Sequence, residues 1–185
     1  MRIIAGTARG RRLAVPAGRS VRPTADRARE ALFSILGPRV AGARVLDLFA
    51  GTGALGLEAL SRGAASAVLV DSQPQALAIL ARNVEACGFG DRARILARDL
   101  DRGLAFLEPL AGPQGFSLVF LDPPYRQGLA ARTLEGLATG RLVAAGGWVV
   151  AEEAAGQELP ALAGRLAIAD QRRYGEAGFW LYLCG

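Results

Sequence analysis

The chain has 185 residues, 51% of them hydrophobic and 21% charged, which suits one domain with a real core and a small appendage. Histidine is absent, and Cys87 and Cys184 form no CxxC pair, so a Cys/His zinc site and any histidine base are excluded and no metal is expected. The net charge is +5, every one of the 22 basic residues is arginine, and this balance favours a polyanionic partner bound through planar guanidinium forks.

In chain order, Met1–Val15 reads as a small hairpin with Gly6 and Gly10 near its turn. Pro23-Thr24 starts a helix with Thr24 as its N-cap, and Ala28, Ala31, Leu32, Ile35 and Leu36 form its buried face. Gly37-Pro38 stops it. Residues 1–41 hold nine arginines against Asp26 and Glu30. They are expected to form a basic N-terminal extension that suits a polyanion, with residues 42–185 as a second domain. An inert basic surface is the alternative.

From Ala43 onward strand and helix alternate. Arg44–Leu48 is a short apolar strand, followed by a glycine turn and a helix from about Ala54 to Arg62. Ala67–Val70 is a strand, Pro74 opens a helix that Gly88 closes, and Ala93–Ala97 is a strand. Arg102–Leu107 is expected to be helical, Ser117–Leu121 a strand, 129–138 a helix and Trp148–Ala151 a strand. Arg165–Tyr174 and Phe179–Cys184 have no helix between them and should pair antiparallel. The expected fold class is α/β, a Rossmann-like, mostly parallel seven-stranded sheet with an antiparallel C-terminal hairpin. The apolar runs are far shorter than the roughly 18 residues of a membrane span. No signal peptide follows Met1-Arg2. A cytoplasmic monomer that contacts no membrane is expected.

Val45 to Gly53 is a strand running into a glycine loop, and Gly51-Thr52-Gly53-Ala54-Leu55-Gly56 matches GxGxxG in the right context. Alone, this fits NAD or S-adenosylmethionine. Asp47, just before the loop, would repel a pyrophosphate and attract a cationic amino-acid end, and the chain has no histidine for dehydrogenase chemistry. S-adenosylmethionine is therefore the expected cofactor. Asp71, with Ser72 after it, ends the second strand and can accept from ribose hydroxyls. Asp99 ends the third and can accept from an adenine amine, with Leu100 on the ring. One such strand-end Asp would be an ordinary cap or turn residue; three in register strengthen the cofactor reading. The expected cofactor residues are Asp47, Phe49, Gly51, Gly53, Asp71, Ser72, Asp99 and Leu100.

Asp122-Pro123-Pro124-Tyr125 follows the fourth strand. The exocyclic amine of a base is a poor nucleophile because its lone pair is delocalised into the ring. The Asp122 carboxylate and a backbone carbonyl near Pro123 can accept its two hydrogens, fix the nitrogen and stabilise the charge that develops. Pro123 and Pro124 restrict the loop. Tyr125 offers a face for the base. A plain strand-ending turn is the alternative.

These stretches resemble the bacterial 16S rRNA guanine-N2 methyltransferase family (RsmD) over nearly the whole length. The resemblance lies in Arg2–Gly6, in Arg22-Pro23-Thr24 with Asp26-Arg27 and Arg29–Phe33, in Asp47–Gly53 running to Glu58–Gly63, and in Asp122–Tyr125. It is loosest over 126–170. The Arg-Pro-Thr segment points to this family among base methyltransferases. The resemblance implies a Rossmann-like methyltransferase fold and S-adenosylmethionine-dependent methylation of a guanine N2 in 16S rRNA, on an assembled or assembling small ribosomal subunit. Arg9, Arg11, Arg12, Arg22, Thr24, Arg27 and Arg29 are the expected RNA contacts. Three rivals remain: a DNA adenine-N6 or cytosine-N4 methyltransferase, for which 185 residues leave no room for a target-recognition domain, a non-catalytic RNA-binding assembly protein, and an NAD-dependent oxidoreductase.

Overall fold

Proline and glycine set most of the element boundaries in the computed structural model, which describes residues 1–16, 23–125 and 127–185. The chain divides into two compact units, Met1–Arg98 and Asp99–Gly185.

In the first unit, α1 (Pro23–Leu36) is followed by a single 3₁₀ turn, Gly37–Val40. The helix begins at Pro23, whose fixed φ suits a first helical position, so Thr24 lies in the first turn and is not the cap. Then come β1 (Arg44–Leu48), α2 (Ala54–Ser61), β2 (Ser66–Asp71), α3 (Pro74–Cys87) and β3 (Ala93–Ala97). The strands are parallel in the order β3-β2-β1, with Asp47 opposite Leu69 and Asp71 opposite Ala97. Parallel strands joined through helices bury both faces, and Val45, Leu46, Leu48, Leu69 and Val70 are accordingly buried. The expected N-terminal hairpin is reduced to one antiparallel bridge, Arg2 with Arg12. Backbone bonds flank it, from Ile3 N–H to the Arg11 carbonyl and from Leu13 N–H to the Met1 carbonyl.

The second unit contains two 3₁₀ turns (Leu100–Arg102 and Ala105–Leu107), α4 (Glu108–Ala111), β4 (Phe116–Leu121), α5 (Leu129–Thr139), β5 (Val143–Ala154), β6 (Leu162–Ala163), β7 (Leu166–Tyr174) and β8 (Ala177–Cys184). The helix expected at Arg102–Leu107 is broken there because Gly103, at φ 94°, interrupts the first turn. The strand order is β4-β5-β8-β7-β6, with β4 and β5 parallel and the other pairs antiparallel. The expected C-terminal hairpin is β7–β8, turning at Gly175 with φ 63°. Strand β5 is longer than Trp148–Ala151: it begins at Val143, which pairs with Phe116, and Glu152–Ala154 prolong it against β8 alone. The two-residue β6 is too short to show any alternation in sequence and adds one strand to those expected.

Candidate active site

Strand β1 delivers Asp47 to the foot of the glycine loop. Its carboxylate is 1% exposed and accepts the Gly56 N–H at 2.8 Å. A Cβ on Gly56 would stand 2.3 Å from Leu69 Cδ2 and 3.0 Å from Asp47 Oδ2, so glycine is what allows α2 to approach this carboxylate. Burial pushes the Asp47 carboxyl up to about 7; the Gly56 N–H opposes the rise and the charge of Asp71 adds to it. Phe49, which follows β1, has φ 61° and is the only non-glycine residue with positive φ among the described residues. Such backbone persists where the surroundings over-determine it, commonly at ligand sites.

Asp71, at the end of β2, holds the other side of the loop. One oxygen accepts the Gly51 N–H and the other the Gln73 N–H, both at 2.8 Å. A Cβ on Gly51 would meet nothing nearer than the Phe49 carbonyl at 3.8 Å, so the loop is open on that side. Each carboxylate oxygen keeps lone-pair capacity for a further donor. An open loop beside a strand-end acceptor fits the donor hydroxyls of an S-adenosyl ribose. Ser72 is exposed next to it.

Asp99 and Leu100 open the second unit. Asp99 caps the 3₁₀ turn by accepting the Asp101 N–H at 3.0 Å, and it pairs with Arg102 at 3.8 Å; Leu100 is buried. Local capping thus accounts for part of the capacity of Asp99.

The Asp122–Tyr125 loop leaves the end of β4. Leu121, the last residue of β4, pairs with Ala151 of the parallel strand β5, so Asp122 leaves the sheet where β5 continues into Glu152. Pro123 is buried, Pro124 is exposed and Tyr125 is 38% exposed. The Tyr125 hydroxyl donates to the Glu152 carboxylate. Burial raises the phenol pKa well above its ordinary value, and Glu152, Asp122 and Glu153 raise it further by their charge. Burial also raises the Glu152 carboxyl; the hydrogen bond from Tyr125 lowers it and the charge of Glu153 raises it. Glu153 is 3% exposed and accepts the Ala154 N–H at 2.9 Å. Sequence reasoning missed Glu152. The available signal was Ala151-Glu152-Glu153 at the carboxyl end of a strand, where ligand sites gather in sheets of this kind.

The arginines of the N-terminal segment differ in accessibility. Arg9, Arg11 and Arg12 are exposed around a hollow lined by residues 7–12. Arg27 is exposed on α1. Arg22 lies outside the described residues, as does the side chain of Thr24. Arg29 is 5% exposed. Its Nη2 donates to the Arg2 carbonyl at 2.6 Å and to Asp26 at 3.0 Å, and its Nε lies 3.9 Å from Glu58. This guanidinium is committed to the interior, so the expected RNA contact at Arg29 gives way to anchoring. Glu58 also accepts the Ile4 and Ala5 N–H groups at 2.8 and 3.1 Å and pairs with Arg62 at 2.7 Å. Among the described residues, no group of side chains could hold a metal ion, and no helix is long and apolar enough to cross a membrane.

Comparison with known proteins places this architecture. A family model described as Conserved hypothetical protein 95 matches residues 1–183. Ribosomal RNA small subunit methyltransferase D of Escherichia coli is 36% identical over 98% of this chain and 89% of its own. The Bacillus subtilis protein YlbH is 36% identical over 98% of both chains. The solved structure of yhhF from Escherichia coli, at 35% identity, superimposes with a TM-score of 0.83 over 100% of this chain and 97% of that one. The fold is that of an S-adenosylmethionine-dependent methyltransferase. The chain belongs to the RsmD family of ribosomal RNA small subunit methyltransferases.

Proposed function

We propose that this protein methylates the exocyclic N2 of a guanine in 16S rRNA, on an assembled or assembling small subunit, as a cytoplasmic monomer. The observation that carries this reading is the Asp122-Pro123-Pro124-Tyr125 loop with its tyrosine hydroxyl tied to Glu152. S-adenosylmethionine, when bound, supplies an electrophilic methyl group. Asp71 accepts from its ribose hydroxyls, Phe49, Gly51, Gly53 and Ser72 shape the same side, and Asp99 with Leu100 addresses the adenine. Asp47 shapes the loop from beneath and acts on the cationic end by its field more than by contact. Asp122 and the Pro123 carbonyl accept the two hydrogens of the target amine, which fixes the nitrogen and stabilises the positive charge that forms on it. Tyr125 stacks on the flipped base.

Residues 1–41 act as the RNA-contact appendage of a catalytic domain at 42–185. Arg9, Arg11, Arg12, Arg22 and Arg27 meet phosphates, and Arg29 holds the segment in place. The test is labelled-methyl transfer onto unmodified small subunits, naked 16S rRNA and DNA, with mapping of the product base. Label at guanine N2 of subunit rRNA is expected, and label on DNA alone overturns the reading. Asp122→Ala should bind S-adenosylmethionine normally while single-turnover transfer falls by about a hundredfold or more. Near-normal transfer removes Asp122 from the mechanism.

A further inference from the structure

Glu152 is a half-buried carboxylate near the end of β5, one residue past Ala151, whose β4 partner Leu121 immediately precedes Asp122. Among the described residues, the Tyr125 hydroxyl is the one side-chain group that donates to it, and it does so to a single oxygen, Oε1. The second oxygen keeps its lone pairs. Two facts make this arrangement selective. The hydroxyl sits at the rim of the tyrosine ring, so a carboxylate anchored there stands at the rim of whatever stacks on that ring. Guanine also differs from the other amino-bearing bases along this rim. Its amine at N2 is flanked by a second donor, N1–H, whereas the amines of adenine and cytosine are flanked by a ring nitrogen that only accepts.

We infer that Glu152 is the residue that selects guanine, accepting the N1–H of the base stacked on Tyr125 while Asp122 accepts from its N2. This rests on the guanine-N2 reading above. A carboxylate has no hydrogen to offer and would face the lone pair of an accepting ring nitrogen with negative charge. It therefore rejects adenine and cytosine as well as binding guanine, and rejection of the wrong partner is a large part of specificity. The Tyr125 bond supplies the rigidity this needs, since an acceptor read at hydrogen-bond distance must not swing. Glu153 is not an equivalent candidate: it is 3% exposed and one of its oxygens accepts the Ala154 N–H.

The experiment uses small subunits reconstituted with 16S rRNA carrying either guanine or 2-aminopurine at the methylated position. 2-Aminopurine keeps the amine at position 2 but has an accepting N1. Wild-type protein is expected to prefer guanine by about tenfold to a hundredfold. Glu152→Gln keeps an oxygen for the Tyr125 hydroxyl and adds an NH₂ that can donate to an accepting N1. The guanine to 2-aminopurine ratio should therefore fall by about tenfold or more in this variant. The ratio is internal to each preparation, so a partly active variant still reports it. An unchanged ratio in Glu152→Gln, with guanine methylated normally by wild-type protein, overturns the assignment of Glu152 and leaves the proposed function standing. Failure of wild-type protein to methylate guanine in the subunits overturns both. In Tyr125→Phe the ring remains while Glu152 loses its tether, so the guanine to 2-aminopurine ratio should also fall; a ratio held at the wild-type value overturns the positioning role given to the Tyr125 bond.

Discussion

Asp47 gains a proton on folding across a range where the unfolded chain has lost it. Its carboxyl is raised from 3.8 to about 7 in the native protein. Between those values the native state binds more protons than the unfolded state, so stability falls as pH rises through this window. At about 1.4 kcal/mol per unit the full effect is on the order of 4 kcal/mol. Asp47→Asn keeps an oxygen for the Gly56 N–H and removes the titration. Its melting temperature should vary less than that of the wild type between pH 5 and about 8, and it should exceed the wild type at the alkaline end. Parallel melting curves for the two proteins across that range would contradict this. Asp71 carries a different burden, because its two oxygens already hold the Gly51 and Gln73 N–H groups. Asp71→Ala should weaken S-adenosylmethionine binding by about 1.5–3 kcal/mol, the worth of a hydrogen bond to a charged acceptor. Calorimetry measures this, and unchanged affinity would remove Asp71 from the cofactor site.

At the scale of elements, helix α2 clamps the N-terminal segment. Glu58 and Ser61 lie on its buried side. Glu58 binds two backbone N–H groups and two arginines, while Ser61 Oγ accepts the Ala8 N–H at 3.0 Å and donates to the Ala5 carbonyl at 2.5 Å. A Cβ on Gly6, at φ 82°, would fall 1.8 Å from the Ser61 carbonyl oxygen, so the segment seats only with glycine there. Asn83 of α3 extends the clamp, exchanging hydrogen bonds with the Ala14 N–H and carbonyl at 2.7 and 3.0 Å. Removing one side of a buried ion pair leaves the other uncompensated, so Glu58→Ala should cost about 3–5 kcal/mol of stability in urea denaturation. A loss under about 1 kcal/mol would mean the network is dispensable. Much of this architecture was legible in the sequence. Periodicity and glycine–proline punctuation gave Ala93–Ala97 exactly and α3 within a residue of its end, because those boundaries are local events. The Asp-Pro-Pro-Tyr and glycine loops were legible because their chemistry is contiguous. Glu58, Ser61 and Glu152 were not, since each works through hydrogen-bond partners 27 or more residues away, and only the folded chain brings those together. The short β6 and the broken turns around Gly103 were also hidden, because neither is long enough to show a period.

Over the whole molecule the charge is uneven. Residues 1–41 carry nine arginines and two acids, leaving thirteen arginines against fifteen acids in the remainder. The net positive charge therefore belongs to the N-terminal part. A positive segment that neutralises phosphates releases counterions, so binding to a polyanion should weaken steeply with salt. Truncating this segment is a poor test, because it also strips the backbone groups that Glu58, Ser61 and Asn83 hold. Arg9, Arg11 and Arg12 are exposed, whereas Arg29 is committed to the interior, so substitution can separate grip from folding. An Arg9/Arg11/Arg12→Ala triple variant should keep its melting temperature and S-adenosylmethionine affinity. Each lost phosphate contact should lower the log–log salt slope of subunit binding by about 0.7 to 0.9, or about two to three in total. Methylation at physiological salt should fall with it, and more in KM than in kcat, because phosphate contacts position the target without touching the reacting nitrogen. A stable triple variant that methylates subunits at the wild-type rate, with an unchanged salt slope, would place the RNA grip outside residues 9–12.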